Sequence, residues 1–416
     1  MVARFVRDEE VGGSNPLAPT ILKESHGSPF IFYTDNMSET KKTDGRHRVS
    51  LLLCMSCPPE PVSRGFHRLY EQNHLPLLSR LLDWEFPCSV SVPWGLTERW
   101  HSDGYHQALQ SCAELRRRGK VEFVASAAYY PILPLLPREA IARQVAHDQI
   151  RHGELFRDWH CSGFVPPEMA FGPELIPILV EAGFDWCAVD DSTYCCLTEE
   201  PPRSHVAECG GLKVLLRSSL WSKALIGSVR SGGSGVGLAE EMMQGLQSWF
   251  GDEPGYVLLA LDTECLGTHR SGSLACLHDF LAIIDSSEDF ELVSPSELVG
   301  RFPSQEDEVP PGSWRTTPDQ FWEGEFFVPW QSRYVRAHTY LWELTELAVE
   351  SVGKLQQRLD RALHAGFFWW DEKNHDGLPS GAARGLRTLL DVIAAAAPED
   401  LDRALELAAR LDEVAP

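Results

Sequence analysis

Two carboxylates stand at the C-terminal ends of apolar runs, nearly a hundred positions apart in the chain. Glu168 lies in GFVPPEMAF, and Asp262 ends the run in YVLLALDTECLG. In a β/α barrel, the C-terminal ends of the strands form the face where chemistry takes place. A pair of carboxylates delivered to that face is what cleavage of a glycosidic bond requires. We therefore interpret the pair as the candidate catalytic centre of a carbohydrate-active enzyme.

Glu168 also has an ordinary structural interpretation. It follows two prolines, Pro166 and Pro167, which fix the backbone as it leaves a strand and hold the next side chain in a defined direction. A glutamate at the start of a helix would be exposed and stabilised by the helix dipole instead. This segment alone favours neither interpretation.

Asp262 is followed by a dense group of polar residues that includes Glu264 and His269. The structural alternative is an aspartate that caps the next helix. A Gly-Thr-His stretch intervenes, however, so Ser271 or Ser273 fits that capping role better. The pattern favours a functional role for Asp262.

Aromatic and acidic residues supply further candidates for a sugar-binding site. Glu122 lies within an apolar strand and needs a partner, and Tyr130 follows that strand in a loop whose rings could stack on sugars or simply pack. Of the thirteen tryptophans, Trp314, Trp369 and Trp370 are flanked by glycine or polar residues, which suggests cleft positions. Packing in a helical core explains most of the others.

Short apolar runs alternate with longer stretches of helical period, which predicts an α/β fold. The predicted strands are residues 49–55, 88–92, 121–125, 163–165, 186–189, 213–216, 256–261 and 290–293. The predicted helices between them include residues 105–118, 138–159, 174–182, 239–249 and 274–284. This order indicates parallel strands joined by crossovers, in a closed or nearly closed barrel or, as the alternative, a doubly wound open sheet.

Changes in composition divide the chain into three parts. Residues 1–46 are rich in Gly, Ser, Pro, Asn and Lys and are predicted to be a loosely structured extension. Residues 47–300 hold the strand pattern. Residues 301–416 begin with a linker rich in Pro, Asp and Glu and continue as predicted helices at 338–363, 385–396 and 398–411, which indicates a C-terminal helical domain.

Charge and composition restrict the class of protein. A net charge of −23 argues against binding nucleic acid through phosphates and against docking on anionic membranes. The N-terminus shows no apolar secretory segment, and the eleven cysteines form no regular framework, so we expect a cytoplasmic protein with reduced thiols. We expect neither a metal nor another cofactor. The Gly-rich stretch at 231–237 lacks the ending of a phosphate loop and is interpreted as a mobile active-site loop, with a plain connector as the alternative.

The segments around these residues resemble glycoside hydrolase family 57, the retaining amylases, branching enzymes and glucanotransferases that act on α-glucans. The resemblance implies that Glu168 is the nucleophile and Asp262 the general acid/base. The resemblance also implies that Glu122 shapes the site, and that the segments holding Trp314 and the pair Trp369-Trp370 close over the substrate. The implied fold is an incomplete (β/α)7 TIM-like barrel followed by helices, with an α-glucan or oligosaccharide as substrate.

Two departures from the family pattern leave the activity open. The first family motif usually carries His-Gln-Pro, where this chain has Cys57-Pro58-Pro59, and a histidine before Pro-Ile-Leu is replaced by Tyr130. A catalytically weak or inactive protein that binds glucan is therefore the alternative. A metal-dependent polysaccharide deacetylase is a more distant one, because the histidine pairs at 101/106 and 147/152 are spaced wrongly for one helix face. The sequence does not indicate an oligomeric state.

Overall fold

The computed structural model describes residues 45–56, 63–198, 200–251, 253–266, 272–351, 355–369 and 380–414. The predicted N-terminal extension lies outside these ranges except for its last two residues. So do Cys57, Pro58 and Pro59, the stretch that departs from the first family motif.

The eight predicted strands are all present, and two short ones add to them. Their bounds are β1 His47–Cys54, β2 Cys88–Ser91, β3 Val121–Val124, β4 Gly163–Phe164, β5 Trp186–Asp190, β6 Val206–Cys209, β7 Leu212–Arg217, β8 Tyr256–Asp262, β9 Phe290–Leu292 and β10 Ser304–Glu306.

Seven parallel strands form a nearly closed ring. β1 pairs with β2 and with β8, β2 with β3, β4 with β5, and β5 with β7. Strand pairing is weakest at two places in the ring. β3 and β4 are joined by one β-bridge, Ala125 to Phe164. β7 and β8 are joined by one residue pair, Arg217 to Leu258. The parallel barrel that the strand–helix alternation predicts is therefore confirmed, with seven strands in the ring.

Within the described ranges, three further strands lie outside the ring. β9 extends the sheet at the start of β1, and β6 pairs antiparallel with β7. β10 pairs with β6, so the sheet continues past residue 300, where the sequence places the end of the barrel region.

Helices flank the ring and continue beyond it. Their bounds are α1 Ser63–Leu69, α2 Leu75–Asp83, α3 Trp94–Ser102, α4 His106–Arg118, α5 Arg138–Leu155, α6 Leu175–Glu181, α7 Tyr194–Leu197, α8 Ser219–Ser231, α9 Gly235–Phe250, α10 Ser273–Asp285, α11 Pro295–Arg301, α12 Pro318–Trp322, α13 Arg336–Ser351, α14 Gln356–Ala362, α15 Ala365–Phe368, α16 Ser380–Ala396 and α17 Leu401–Val414. No helix in the described ranges combines the length and apolarity needed to cross a bilayer.

The alternation of side chains along β1 shows how the barrel is filled. Leu51 and Leu53 belong to the large outer core shared with the helices, whereas Leu52 and Cys54 belong to an inner core. The helix α11 closes the N-terminal end of that inner core. Phe302, the residue after α11, packs on Tyr256 at the start of β8, with ring centroids 5.0 Å apart. The opposite end of the barrel is therefore the one available to a site.

The Gly-rich stretch forms a tight turn between α8 and α9, which the prediction of a mobile active-site loop did not anticipate. Gly232 ends α8 in the left-handed region, with φ of 74°. The Ser234 side chain caps α9 by accepting from the backbone N–H of Gly237 at 3.0 Å. Gly235 approaches α10 so closely that a Cβ would lie 2.0 Å from the carbonyl oxygen of Cys276.

The C-terminal helices share one apolar core with the barrel, and polar contacts join them to α5 and to the loop after β3. Arg143 of α5 donates to both carboxylate oxygens of Asp360 in α14, and Gln144 donates to the Asp360 carbonyl at 3.0 Å. The backbone N–H of Ala365 donates to the carbonyl of Tyr130 at 2.9 Å. The predicted helix 338–363 is two helices, α13 and α14. Their docking brings the C-terminal region against the loop that follows β3.

Candidate active site

The two acids lie at the C-terminal end of the barrel. Asp262 is the last residue of β8 and stands opposite Cys54, the last residue of β1. Glu168 comes four residues after β4, and its negative charge contributes to raising the pKa of Asp262. Cys54 also lines a narrow cavity beside Glu168, so the structure brings the two carboxylates to one end of the barrel.

Glu168 sits on a strained piece of backbone. Its φ is 57° and that of Met169 is 50°, in the left-handed region that non-glycine residues rarely adopt. Such a conformation costs on the order of 1–3 kcal/mol and is found mainly at functional sites. The 3-10 turn here spans only Pro167–Met169, and the Glu168 side chain is 14% exposed. The alternative of an exposed glutamate at a helix N-terminus is therefore wrong.

Several groups bind the Glu168 carboxylate. The indole N–H of Trp314 donates to Oε2 at 2.7 Å, and the Trp314 backbone N–H donates to the Glu168 carbonyl at 3.3 Å. The Arg315 guanidinium lies 3.9 Å from Oε2, and Tyr130 lines the same cavity as Glu168. Burial raises the pKa of Glu168, and these groups oppose that rise because they favour the ionised form.

Asp262 is held in a different way. Its Oδ1 accepts from the backbone N–H of Glu264 at 2.9 Å and caps the 3-10 turn Thr263–Cys265. The capping role therefore exists, but it serves this short turn; α10 begins after Gly272, which offers no side-chain cap, and Ser273 is its first residue. Burial, followed by the charges of Glu264 and Glu168, raises the pKa of Asp262 to about 8. At neutral pH the group is protonated and can donate a proton.

A second layer of residues fixes the turn that carries Asp262. The Ser56 hydroxyl donates to the Glu264 carboxylate at 2.8 Å. The buried amide of Asn73 donates to the carbonyl of Thr263 at 2.6 Å and also to that of Leu266. Asn73 lies on a π-helical turn, Tyr70–His74, a rare element that often marks functional sites. Asn73 was not predicted, since a lone asparagine inside a helical stretch gives no signal.

A buried ion pair supports the floor of the site. Arg217, at the end of β7, is 2% exposed, pairs with Asp190 at the end of β5, and donates to the carbonyl of Ala260 at 3.0 Å. Its guanidinium lies 5.5 Å from the ring centre of Trp314, which itself binds Glu168. Both ionic residues were missed, although each ends a strand, which is the signal that could have identified them.

A narrow cavity lies beside Glu168. Cys54, Ser126, Tyr130 and Trp314 are among the residues that line it, and the space open to the centre of a water-sized sphere is about 10 Å³. That is room for roughly one water molecule. Burial raises the pKa of the Cys54 thiol well above its usual range, so the thiol stays protonated and is a poor nucleophile at neutral pH.

The remaining predicted site residues have different positions. Trp369 lies 4.9 Å from the Arg315 guanidinium and joins the site through it. Glu122 does not join the acids: its carboxylate accepts from the Ser296 backbone N–H at 3.2 Å and from the Ser296 hydroxyl, at the start of α11. His269 and Trp370 lie outside the described residues. Within the described ranges, no three His, Cys, Asp or Glu side chains are grouped in a way that could hold a metal ion.

Comparison with known proteins identifies the same family that the sequence motifs resemble. The family model Glycosyl hydrolase family 57 matches residues 33–309, about two thirds of the chain. The alpha-amylase of Pyrococcus furiosus is 29% identical over 133 residues, which are 30% of this chain and 19% of that protein. The 4-alpha-glucanotransferase of Thermococcus kodakarensis is 29% identical over 124 residues, 29% of this chain and 18% of that protein. The matched region thus spans less than a fifth of the length of these curated relatives.

Solved structures share the fold. The 4-alpha-glucanotransferase from Thermococcus litoralis superimposes with a TM-score of 0.67 at 18% identity and covers 84% of this chain and 59% of its own. An alpha-amylase from Thermotoga maritima gives a TM-score of 0.64 at 13% identity, with 89% of this chain and 97% of its own covered. The family match over the seven-stranded barrel shows that the chain belongs to glycosyl hydrolase family 57.

Proposed function

We propose that the protein is a retaining α-glycoside hydrolase or transglycosylase acting on α-glucans. The observation that carries the proposal is the unequal environment of the two acids. Burial raises the pKa of both acids, but the charges of Glu264 and Glu168 add to the rise at Asp262, to about 8, whereas Trp314 and Arg315 oppose it at Glu168. A pair of carboxyl groups whose environments differ in this way has distinct acid and nucleophile roles.

The proposed roles follow from this difference between the two acids. Asp262 donates its proton to the glycosidic oxygen as the carboxylate of Glu168 attacks the anomeric carbon, so the C–O bond to the leaving group breaks while the bond to Glu168 forms. The ionised Asp262 then takes a proton from an incoming hydroxyl, which displaces Glu168 and restores both residues. Water as the acceptor gives hydrolysis, and a second sugar gives transfer.

The substrate class rests on the relatives and on charge. The curated relatives include proteins named alpha-amylase and 4-alpha-glucanotransferase, and one solved relative is a branching enzyme of the same family. A neutral glucan also suits a chain with a net charge of −23, which repels anionic substrates.

One observation favours a second candidate, a glucan-binding protein without catalytic turnover. The cavity beside Glu168 has room for about one water molecule, and Tyr130 occupies part of its wall.

The test is incubation with maltoheptaose followed by chromatography of the products. Shorter sugars alone indicate hydrolysis, and longer ones indicate transfer. Glu168→Gln and Asp262→Asn are each expected to lower turnover on the order of 10³-fold. Glu240→Gln and Asp285→Asn, which change exposed carboxylates on α9 and α10, are the matched controls and keep full turnover. Unchanged maltoheptaose with wild-type protein contradicts the enzyme proposal, and retained glucan binding in that case supports the second candidate.

A further inference from the structure

A large cleft lies away from the two acids. It has a volume of about 570 Å³ and is bounded by residues 324–333, the start of α13 and the turn Leu133–Leu135. Clefts of roughly 300–1,000 Å³ are typical of small-molecule sites. It shares no lining residue with the narrow cavity beside Glu168. The cleft is therefore a separate candidate site that the proposed reaction does not use.

Exposed aromatic rings stand beside this cleft. Tyr334 is 68% exposed and Trp322 is 67% exposed, the highest values among the large apolar and aromatic side chains of the described residues. The Trp322 ring contacts Phe321 with centroids 5.2 Å apart, and Phe321 lies 5.8 Å from Phe326, which lines the cleft. A continuous row of rings thus runs from the exposed tryptophan into the cleft. Large exposed aromatic side chains of this kind mark binding surfaces.

The polar side chains around these rings are planar hydrogen-bonding groups. Arg333 binds Glu325 at 3.0 Å, the Tyr334 hydroxyl at 3.1 Å and the Glu323 carbonyl at 3.1 Å. These bonds hold Tyr334 beside the segment that carries Trp322. Glu343 and Glu346 extend from α13 into the same cleft with exposed side chains. Carboxylates and a guanidinium offer the acceptors and donors that adjacent sugar hydroxyls require.

We propose that this cleft, with Trp322 and Tyr334 at its rim, is a second binding site for an α-glucan chain. Aromatic faces bind the apolar faces of sugar rings, and the preponderance of glutamates repels phosphate and other anions. The site is tied to the catalytic end by one segment: Trp314 binds Glu168, while the Thr316 hydroxyl donates to the Phe326 carbonyl at 2.6 Å. A long glucan held here is tethered to the protein that carries the acids, which raises the effective concentration of the glucan at the catalytic end. The choice of glucan rests on the proposed function.

The test measures glucan binding in a Glu168→Gln background, where turnover is blocked. The probes are soluble amylose and maltotetraose, followed by affinity electrophoresis and calorimetry. Trp322→Ala combined with Tyr334→Ala is expected to weaken amylose binding about tenfold or more, as loss of exposed aromatic anchors does. Trp322→Phe keeps an aromatic face, so a protein with Trp322→Phe in place of Trp322→Ala should bind amylose more tightly than the double alanine variant. Trp249→Ala on α9 is the matched control, because it removes another exposed tryptophan, and it leaves binding unchanged.

The outcomes separate this inference from the proposed function. With Glu168 intact, the double variant should keep the wild-type kcat on maltotetraose and show a raised KM for amylose only. Equal amylose binding by wild-type and double-variant proteins overturns the second site and leaves the enzyme proposal standing. Loss of amylose binding in the double variant of a protein that never turns over maltotetraose supports the second site and rejects the enzyme proposal. Wild-type protein that binds no amylose rejects the second site outright.

Discussion

Replacing Trp314 with phenylalanine should shift the pH at which Glu168 becomes ionised. The indole N–H donates to the Glu168 carboxylate at 2.7 Å, and phenylalanine keeps a ring over Arg217 while removing that donor. A hydrogen bond to a charged group contributes about 1.5–3 kcal/mol. One pKa unit corresponds to about 1.4 kcal/mol, so the pKa of Glu168 should rise by roughly one to two units.

The assay is the pH dependence of kcat/KM on a maltooligosaccharide. The acid limb reports ionisation of the nucleophile in the free enzyme. In Trp314→Phe its midpoint should move upward by about one to two units, and kcat/KM below that midpoint should fall about tenfold for each unit. Trp249→Phe, which changes an indole on α9, is the control and should leave the limb in place. Titration of ¹³C-labelled glutamate carboxyls by NMR gives the same pKa without relying on turnover.

An acid limb that coincides in Trp314→Phe and wild-type protein, with both folded, would refute the assignment of Glu168 as the ionised nucleophile. Tyr130→Phe provides a second, independent comparison. Because the Tyr130 side chain also favours the ionised form of Glu168, its removal should shift the limb in the same direction.

Three further predictions concern pH and stability. On the alkaline side, kcat/KM should fall with a midpoint near pH 8, because Asp262 loses the proton that it donates. Because the pKa of Asp262 is near 3.8 in the unfolded chain, the free energy of unfolding should decrease as the pH rises from about 4 to about 8. Asp262→Asn should abolish that decrease. Asp190→Ala leaves Arg217 buried without its carboxylate partner and should lower the free energy of unfolding in denaturant by about 3–5 kcal/mol; an unchanged value would contradict this. Gly235→Ala should lower the melting temperature, because its Cβ meets a carbonyl of α10, whereas Gly227→Ala, with open space around it, should not.

The barrel was predictable because its strands are short apolar runs that end abruptly. β10 was not, because the sequence Ser304–Glu306 is polar and exposed and becomes a strand only by pairing with β6. β6 is similarly short and carries a glutamate, Glu208, in its middle. Pairing of this kind depends on the position of a distant backbone, which local pattern does not contain.

The positions of the two acids were predictable because each follows an apolar run: Asp262 ends β8, and Glu168 comes four residues after β4. Glu122 was expected to shape the site because its segment resembles the matching strand motif of the family. The sequence did not show how far along the barrel axis Glu122 lies. Glu122 pairs with Ser89, and Ser89 pairs with Leu52 of β1. Leu52 comes two residues before Cys54, which pairs with Asp262. At 3.3 Å per residue that is about 7 Å deeper in the barrel.

The arrangement around the acids also depends on contacts between distant parts of the chain. Trp314 reaches Glu168 across 146 positions, and Asn73 reaches the turn after Asp262 across about 190. The sequence could show that Trp314 is flanked by polar residues, but not which atom it binds. Which residues pair in this way depends on the folded barrel and not on local sequence.

The most direct test of the central claim is the anomeric configuration of the first product released from maltoheptaose, followed by proton NMR before mutarotation. The account, in which Glu168 forms a covalent glycosyl intermediate and Asp262 serves as acid and then base, predicts that the α-anomer accumulates first. It further predicts that Glu168→Gln releases neither anomer at a measurable rate. Initial release of the β-anomer, or undiminished release by Glu168→Gln, would contradict it.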